Sequence, residues 1–249
     1  MNNLTLIKVV FLYYIILSFT EWFLHKNLMH RVDGNFISDN IQKIHIMIYK
    51  YSACDKHEEH HKLVENDGHV NDDEGIFFLK SDVIFLILIV YILYISLSKL
   101  LINGLSKKHY MIMVIIVTLT IISYYLMWNI LHPRYHRLNH FYNENGILEN
   151  SFIYKYLEKY HMLHHMNKGK DKCNFNIILP GADFIMGTYK GCVDNSKLCH
   201  SNNKLTKKEI DLCAKQKVGE NMPYGINYCS SSSVSPSHSS SKSLSSEEV

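Results

Sequence analysis

Histidine is the residue type in this sequence that points most directly to chemistry, with 16 copies in 249 residues. Ten of them stand in four short groups, HKNLMH, HEEHH, HPRYH and HMLHH. In chain order these ten are His25, His30, His57, His60, His61, His132, His136, His161, His164 and His165. Imidazole is the commonest side-chain metal ligand, and it binds iron, zinc, copper and nickel alike. The groups predict a metal centre, and their spacing alone leaves the metal open.

The spacing within each group suggests how the imidazoles could converge. Residues at i, i+3 and i+4 share one side of a helix, so we expect each HxxHH group to aim three imidazoles at one place. His132 and His136 also share a side. His25 and His30 are five residues apart, about 140° around an ideal helix, so they need a helix end or two directions of approach to meet. The alternative is a solvated histidine face that binds nothing or collects adventitious zinc.

Three apolar stretches stand beside the histidine groups, at residues 4–24, 83–101 and 110–131. Each has the length of about 20 residues that a helix needs to cross a bilayer. Asn103–Lys108 separates the last two stretches, which indicates a helical hairpin. A cleaved signal peptide is the alternative for the first stretch, although it has neither a charged start nor a small-residue cleavage site. A buried soluble core is the alternative for the second.

Three crossings would place residues 25–82 and 132–249 on one side of the membrane. These segments hold 22 of the 26 Lys and Arg residues, and the positive-inside rule then favours the cytosol for them. We therefore expect an all-α integral membrane bundle with a histidine-rich di-metal site on its cytosolic face and a disordered C-terminal tail. Residues 41–53 are expected to form a further interfacial or re-entrant helix.

The order HX4H, HXXHH, HX3H, HXXHH resembles that of the fatty acid hydroxylase and sterol desaturase superfamily. Flanking residues agree with this resemblance: Glu21-Trp22 before the first group, and Asn174-Phe175, Asp183 and Gly187-Thr188 after the last. The resemblance covers residues 17–190. It implies a helical membrane protein in which the ten histidines hold two iron ions, with zinc able to replace iron in isolated protein. His140, four residues after His136, could replace or supplement a ligand.

The resemblance also implies a reaction. We expect an oxidoreductase that uses dioxygen to hydroxylate, or to desaturate, a C–H bond of a lipid, most readily a fatty acyl or sphingolipid substrate. A sterol or sphingoid-base desaturase is the alternative within the family. The sequence has no glycine fingerprint for a flavin or nicotinamide, so electrons would come from an external b-type cytochrome, or from a ferredoxin with its reductase. An endoplasmic reticulum membrane suits such lipid biosynthesis.

A different class of function fits the histidines as well, namely a metal-transporting or metal-storing membrane protein. A transporter needs polar or ionisable side chains near the middle of its spans. The stretches offer mainly Lys8, Thr118, Thr120 and Ser123, while the histidines cluster at the span ends. This distribution favours catalysis. The net charge of +3 is too small to indicate a nucleic-acid partner.

Acidic residues near the groups could orient the imidazoles, because metal-bound histidines usually donate their other N–H to a carboxylate or carbonyl. The candidates are Glu21, Asp55, Glu58 and Asp183, and Glu21 is favoured because it stands one turn before His25. For each of them a plain solvated or interfacial acid is the alternative. Five further histidines stand alone and are expected at the surface: His45, His69, His109, His200 and His238.

The sequence divides into a catalytic domain at 1–190, a polar extension at 191–229 and a Ser-rich tail at 230–249 that is expected to be disordered. In the extension, Thr206 and Glu209 have capping-box spacing and predict a helix to about Lys215. Its four cysteines, Cys192, Cys199, Cys213 and Cys229, fit no usual zinc spacing. On a cytosolic face they should be reduced thiols.

Overall fold

The computed structural model describes residues 3–32, 34–64, 107–138, 142–168, 172–200, 204–218 and 223–229, together with 88, 91–93 and 96. The regular secondary structure of the described part is helical, as predicted, apart from an isolated β-bridge between Val193 and Tyr228. Its helices are α1 (Asn3–Leu24), α2 (Phe36–Tyr49), α3 (Ala53–Leu63), α4 (Lys107–Tyr135), α5 (Phe152–Met166), α6 (Ala182–Ile185), α7 (Ser196–Cys199) and α8 (Lys207–Val218), with a π-helical turn at His25–Met29 and a 3-10 turn at Pro223–Gly225.

The two long helices, α1 and α4, run parallel and end at the histidine groups. The Tyr13 hydroxyl donates to the Val117 carbonyl at 2.9 Å, and farther along both helices the Tyr124 hydroxyl donates to Glu21 at 2.9 Å. Because the contacts advance in the same direction on both helices, their C-terminal ends lie side by side. An apolar cluster of Tyr13, Ile16, Leu17, Val117 and Ile121 packs them together.

Membrane crossing has support from one helix in the part of the chain that the structure describes. Val114–Tyr135 is long and apolar enough to cross. It contains a window of 18 residues with a mean hydropathy of 1.9, and 28% of that window is buried inside the protein. The first predicted stretch is present as α1. Most of the predicted stretch at 83–101, and the hairpin turn after it, lie outside the described residues, so the three-span bundle stays a prediction.

The predicted helix near residues 41–53 is present as α2 and begins earlier, at Phe36. Its N-cap is Asn35, whose side chain accepts from the amides of Ile37 and Ser38. One side of α2 is buried through polar groups, while the other exposes apolar ones, Phe36, Ile37, Ile44, Met47 and Ile48. This division suits a helix lying at an apolar–polar interface.

Short connections fix the helices that carry the remaining histidines. Ser52 and Ser151 cap α3 and α5 by accepting from the amides of Asp55 and Tyr154. Such caps satisfy amides that have no partner within the helix. Around α5, a core cluster includes Tyr135, Tyr154, Leu157, Met162 and Leu163. The histidines therefore stand on helices whose start points and packing are fixed.

The extension packs onto this same core. Val193, Leu212 and Ile226 belong to the cluster around α5. The predicted helix of the extension is present as α8, and its capping box is confirmed, because the Thr206 amide donates to Glu209 at 2.8 Å and the Glu209 amide donates to the Thr206 hydroxyl at 3.3 Å. The tail at 230–249 lies outside the described residues.

The cysteines of the extension are paired, contrary to the expectation of reduced thiols. Disulfides join Cys192 to Cys229 and Cys199 to Cys213, with Cα atoms 5.0 and 5.5 Å apart. The pairing also leaves no thiolates there for zinc. Disulfides persist in oxidising compartments and are rare in the cytosol. The pairing therefore counts against the cytosolic placement that the lysine and arginine distribution favours.

Candidate metal centre

His25 and His30 meet because the chain leaves α1 through a π-helical turn. The amide of His30 donates to the carbonyl of His25 at 2.9 Å, a bond that spans five residues. This spacing brings the two imidazoles together, with ring centroids 5.0 Å apart and planes 25° from parallel. The expected departure from an ideal helix is thus supplied by the helix end itself. Turns of this kind are frequent at functional sites.

The histidines of HEEHH on α3 do not converge on one place, contrary to the prediction. His57 and His61, one turn apart, bring their Nε2 atoms to 3.2 Å from each other. His60 turns toward a second group of histidines on α4 and α5. The physical reason is that positions i+3 and i+4 differ by about 100° around a helix, so their side chains straddle the direction of residue i.

HMLHH on α5 divides in the same way, with the roles exchanged. The Nε2 atoms of His161 and His165 lie 3.1 Å apart. His164 points instead to the group around His30, and the Nε2 atoms of His30 and His164 lie 3.0 Å apart. Each HxxHH group therefore contributes two ligands to one set and one ligand to the other, so the two sets are linked through α3 and α5.

The first set gathers histidines from three elements beside the π-helical turn. Ligand atoms of His25, His30, His57 and His164 all lie within 4.8 Å of one another. The Nε2 of His57 is 2.9 Å from that of His25 and 3.1 Å from that of His30. His61 adjoins the group, with its Nε2 3.1 Å from that of His164. These five residues, His25, His30, His57, His61 and His164, are called the first set below.

The second set gathers the other five histidines at the end of α4. Ligand atoms of His60, His132, His136, His161 and His165 all lie within 4.8 Å of one another. The Nε2 atoms of His161 and His136 are 2.9 Å apart. The two sets lie side by side, since the rings of His61 and His165 stack with centroids 4.1 Å apart. All ten histidines that the sequence singles out are thus brought together and buried.

The spacing of each set fits one metal ion. Two nitrogens bound at right angles to one ion, each at about 2.1 Å, lie about 3.0 Å apart. The observed Nε2 separations of 2.9–3.2 Å agree with this geometry. His60 has no exposed surface, and within the described structure neither of its ring nitrogens has a hydrogen-bond partner. A bound metal would supply the partner that such a buried group requires.

Backbone carbonyls fix the proton positions of two ligands in the first set. The Nδ1 atoms of His25 and His164 lie 2.6 Å from the carbonyl oxygens of Phe175 and Cys173. Because a carbonyl can only accept, each Nδ1 carries the proton and each Nε2 presents a lone pair. Lone pairs converging at about 3 Å repel one another unless a cation lies between them. These two carbonyls were not predicted, since any residue type can supply one.

Among the predicted acidic partners, Glu58 is the one that contacts a ligand. Its Oε1 lies 3.1 Å from Nδ1 of His30, and Lys172 bonds to the same carboxylate. The prediction for Glu21 is wrong, because this buried carboxylate accepts from backbone amides of residues 177–179. Asp183 likewise binds Tyr160, Thr188 and Asn176 rather than a histidine. Asp55 is exposed in the first turn of α3.

Burial keeps the imidazoles neutral, which is the form that binds metal. Desolvation lowers the pKa of His25 to about 3. The pKa values of seven others lie well below the ordinary range for the same cause, with nearby histidines adding to the effect: His30, His57, His60, His61, His161, His164 and His165. At neutral pH these eight imidazoles therefore offer lone pairs without first releasing protons.

The solitary histidines behave differently from one another. His200 is exposed, as predicted. His45 is buried on α2, with its Nδ1 3.2 Å from the Tyr51 carbonyl, so the surface prediction is wrong for it. The polar residues around it, Ser38 and Gln42, share the buried side of α2, which the apolar pattern of that helix did not reveal. His69, His140 and His238, and the side chain of His109, lie outside the described residues.

Compared with models of protein families, with curated proteins and with solved structures, this chain finds no match. The superfamily resemblance therefore rests on the histidine pattern and the flanking residues. The geometry adds an independent observation, two adjoining buried sets of histidines that could each hold a metal ion.

Proposed function

We propose that this chain is a membrane di-iron oxygenase that hydroxylates or desaturates a C–H bond of a lipid, with a fatty acyl or sphingolipid substrate favoured. The observation that carries the proposal is the pair of interlinked, buried, all-histidine sets at the ends of α1 and α4. Because α3 and α5 each carry histidines of both sets, the same two helices would hold both ions close together, as a reaction using both would require.

The number of histidines supports iron over zinc as the resident metal. Structural zinc is almost always bound by four ligands. Each set here offers five imidazoles, counting His61, whose Nε2 lies 3.2 and 3.1 Å from those of His57 and His164. Imidazole suits iron well, and a coordination number above four leaves room for a further small ligand. No cysteine thiolate belongs to either set.

The surroundings support a reaction on an apolar substrate. When bound, iron would supply the activation of dioxygen that attack on an unactivated C–H bond requires. The protein's own groups would hold the ions, orient the imidazoles through Phe175, Cys173 and Glu58, and exclude water by burial. Exposed apolar side chains on α4 reach Ile130, two residues before His132, which brings a hydrocarbon surface close to the second set.

Electrons must be delivered from outside, and we propose a b-type cytochrome, or a ferredoxin with its reductase, as the donor. The proposed location is the endoplasmic reticulum membrane. The disulfides of the extension favour its oxidising side for the histidine sets, in place of the cytosolic side expected from the charges.

The test is lipid analysis of cells with and without the full-length protein, followed by the same assay on purified protein with iron and a reductant. A product heavier by one oxygen atom indicates hydroxylation, and one lighter by two hydrogen atoms indicates desaturation. The His61→Ala and His165→Ala variants should lose product while still entering the membrane, and His200→Ala, at an exposed site, should retain it. Metal binding without any oxygen-dependent product would contradict the proposal and favour metal storage or transport.

A further inference from the structure

Residues 175–180 follow α5 and run back along α1, away from the histidine sets. Residues 182–189 then return, since the Asn174 amide donates to the Thr188 carbonyl at 3.0 Å and the Trp22 indole donates to the Thr188 hydroxyl at 2.8 Å. Three hydroxyl contacts hold these residues against α1. Ser18 Oγ donates to the Leu179 carbonyl at 2.8 Å and accepts from the Ala182 amide at 3.0 Å, and the Tyr14 hydroxyl donates to the Pro180 carbonyl. Since Ser18 precedes His25 by seven residues, its partners Leu179 and Ala182 lie about 10 Å from the level of His25 along the helix axis. We call residues 175–189 the returning segment.

The level of the returning segment can be compared with α4. Glu21 accepts from Tyr124 of α4 and from three amides of the segment, so all of these groups lie at one height. Tyr124 is in the middle of Val114–Tyr135, the stretch long and apolar enough to cross a membrane. Side chains of α4 remain apolar and exposed on both sides of this height, at Leu119 and Leu126. The segment therefore reaches the middle of the candidate span.

Irregular backbone at such a depth must satisfy its polar groups internally. The returning segment does so to an unusual degree. Glu21 accepts from the amides of Ile177, Ile178 and Leu179 at 2.9–3.0 Å. Asp183 accepts from the Asn176 amide at 2.7 Å and from the Tyr160 hydroxyl at 2.7 Å. Two buried carboxylates thus pin the segment.

Glycine and apolar residues complete this arrangement. At Gly181, φ is +153° and an added Cβ would lie 3.2 Å from Ser18 Oγ, so a side chain there would strain the close approach to α1. The next residues turn outward and expose apolar surface, with Phe184 51%, Ile185 69% and Met186 46% exposed. In water this exposure would be unfavourable, whereas acyl chains would cover it without cost.

We propose that the returning segment is a re-entrant loop whose outward side chains, Phe184, Ile185 and Met186, contact the acyl chains of the bilayer at the depth of Tyr124. The surface is continuous in height with the exposed apolar side of α4. The segment's other end carries Phe175, whose ring lies 5.8, 5.8 and 5.7 Å from those of His25, His30 and His164. The loop thereby connects hydrocarbon to the first set. The inference rests on the proposed membrane placement.

Tryptophan fluorescence in lipid vesicles tests the proposal, because both native tryptophans are buried. The probe variant is Ile185→Trp in the full-length protein. The reference variants are Leu126→Trp on α4, 50% exposed in the wild type, and Ile210→Trp on α8, 56% exposed. Each variant is measured with lipids brominated in the middle of the acyl chain and, separately, with iodide in the water. Wild-type metal content in each variant establishes that the fold is retained.

We expect Ile185→Trp to behave as Leu126→Trp does, losing emission to brominated lipid and not to iodide, while Ile210→Trp shows the reverse. Quenching of Leu126→Trp by lipid, with Ile185→Trp quenched by iodide alone, would overturn the re-entrant loop and leave the membrane placement intact. Iodide quenching of all three would overturn both. Lipid contact without any lipid oxidation would leave the loop standing and count against the proposed function alone.

Discussion

Replacing Glu21 by glutamine changes one atom of a buried group that holds the returning segment to the two long helices. Its Oε1 accepts from Tyr124 and from the amides of Ile177 and Ile178, and its Oε2 accepts from the Leu179 amide and the Asn176 side chain. An amide nitrogen cannot accept a hydrogen bond. Whichever way the glutamine side chain turns, at least two of the five donors face another donor.

The magnitude follows from these lost bonds. A buried donor left without an acceptor costs about 1–3 kcal/mol, so two such donors weaken the attachment of the segment by about 2–6 kcal/mol. At 1.4 kcal/mol for each factor of ten, the segment should open about 30- to 10⁴-fold more often. Opening also withdraws the Phe175 carbonyl from His25, so the first set should lose metal more readily than the second.

Hydrogen exchange measured by mass spectrometry on purified full-length protein is the assay. Amides 177–179 should exchange faster in Glu21→Gln by the factor given above. The matched control is Glu59→Gln, since Glu59 is exposed on α3 among the ligands. In this variant, amides 177–179 should exchange at the wild-type rate. Unchanged protection of these amides in Glu21→Gln would refute the view that Glu21 pins the segment.

Three further outcomes are expected. Burial raises the pKa of the Glu158 carboxyl to about 7, so protonation favours the folded state and this contribution to stability is lost as the pH rises through that value. Between about pH 5 and pH 8, the thermal stability of the wild type should therefore fall more than that of Glu158→Gln. Equal pH slopes for the two proteins would contradict this. Asn145→Thr creates an Asn-x-Thr glycosylation acceptor at exposed Asn143. If the disulfides mean that this face of the protein lies in an oxidising compartment, cells should glycosylate Asn143 in the variant. An unmodified variant whose extension cysteines can be alkylated would place this face in the cytosol instead. His45→Ala should lower the unfolding temperature and leave metal content unchanged, since His45 bonds to Tyr51 and belongs to neither set; metal loss would extend the site to α2.

The sequence was sufficient to find the ten histidines because their types, spacing and order are local features. It also predicted the helical class, the helix of the extension and its capping box. These follow from apolar runs and from residues three or four apart, which determine local structure directly. The π-helical turn was anticipated only as a need for some departure from an ideal helix between His25 and His30.

The partition of the ligands could not be predicted in the same way. Whether His60 joins His57 or His132 depends on how α3 is rotated against α4 and α5, which is a matter of tertiary packing. The role of Glu21 was missed for a related reason. Its partners at residues 177–179 are backbone amides more than 150 positions away, and backbone groups leave no signal in residue type. The disulfides were missed because their spacing follows the folded path of the extension and matches no short motif.

Metal content per chain of the purified full-length protein tests the central claim, that the ten histidines form two separate ligand sets. His57→Ala and His60→Ala are the informative variants, since both change α3 and each removes a ligand from a different set. We expect two ions per chain in the wild type and one in each variant. One ion in the wild type, or two in both variants, would contradict it.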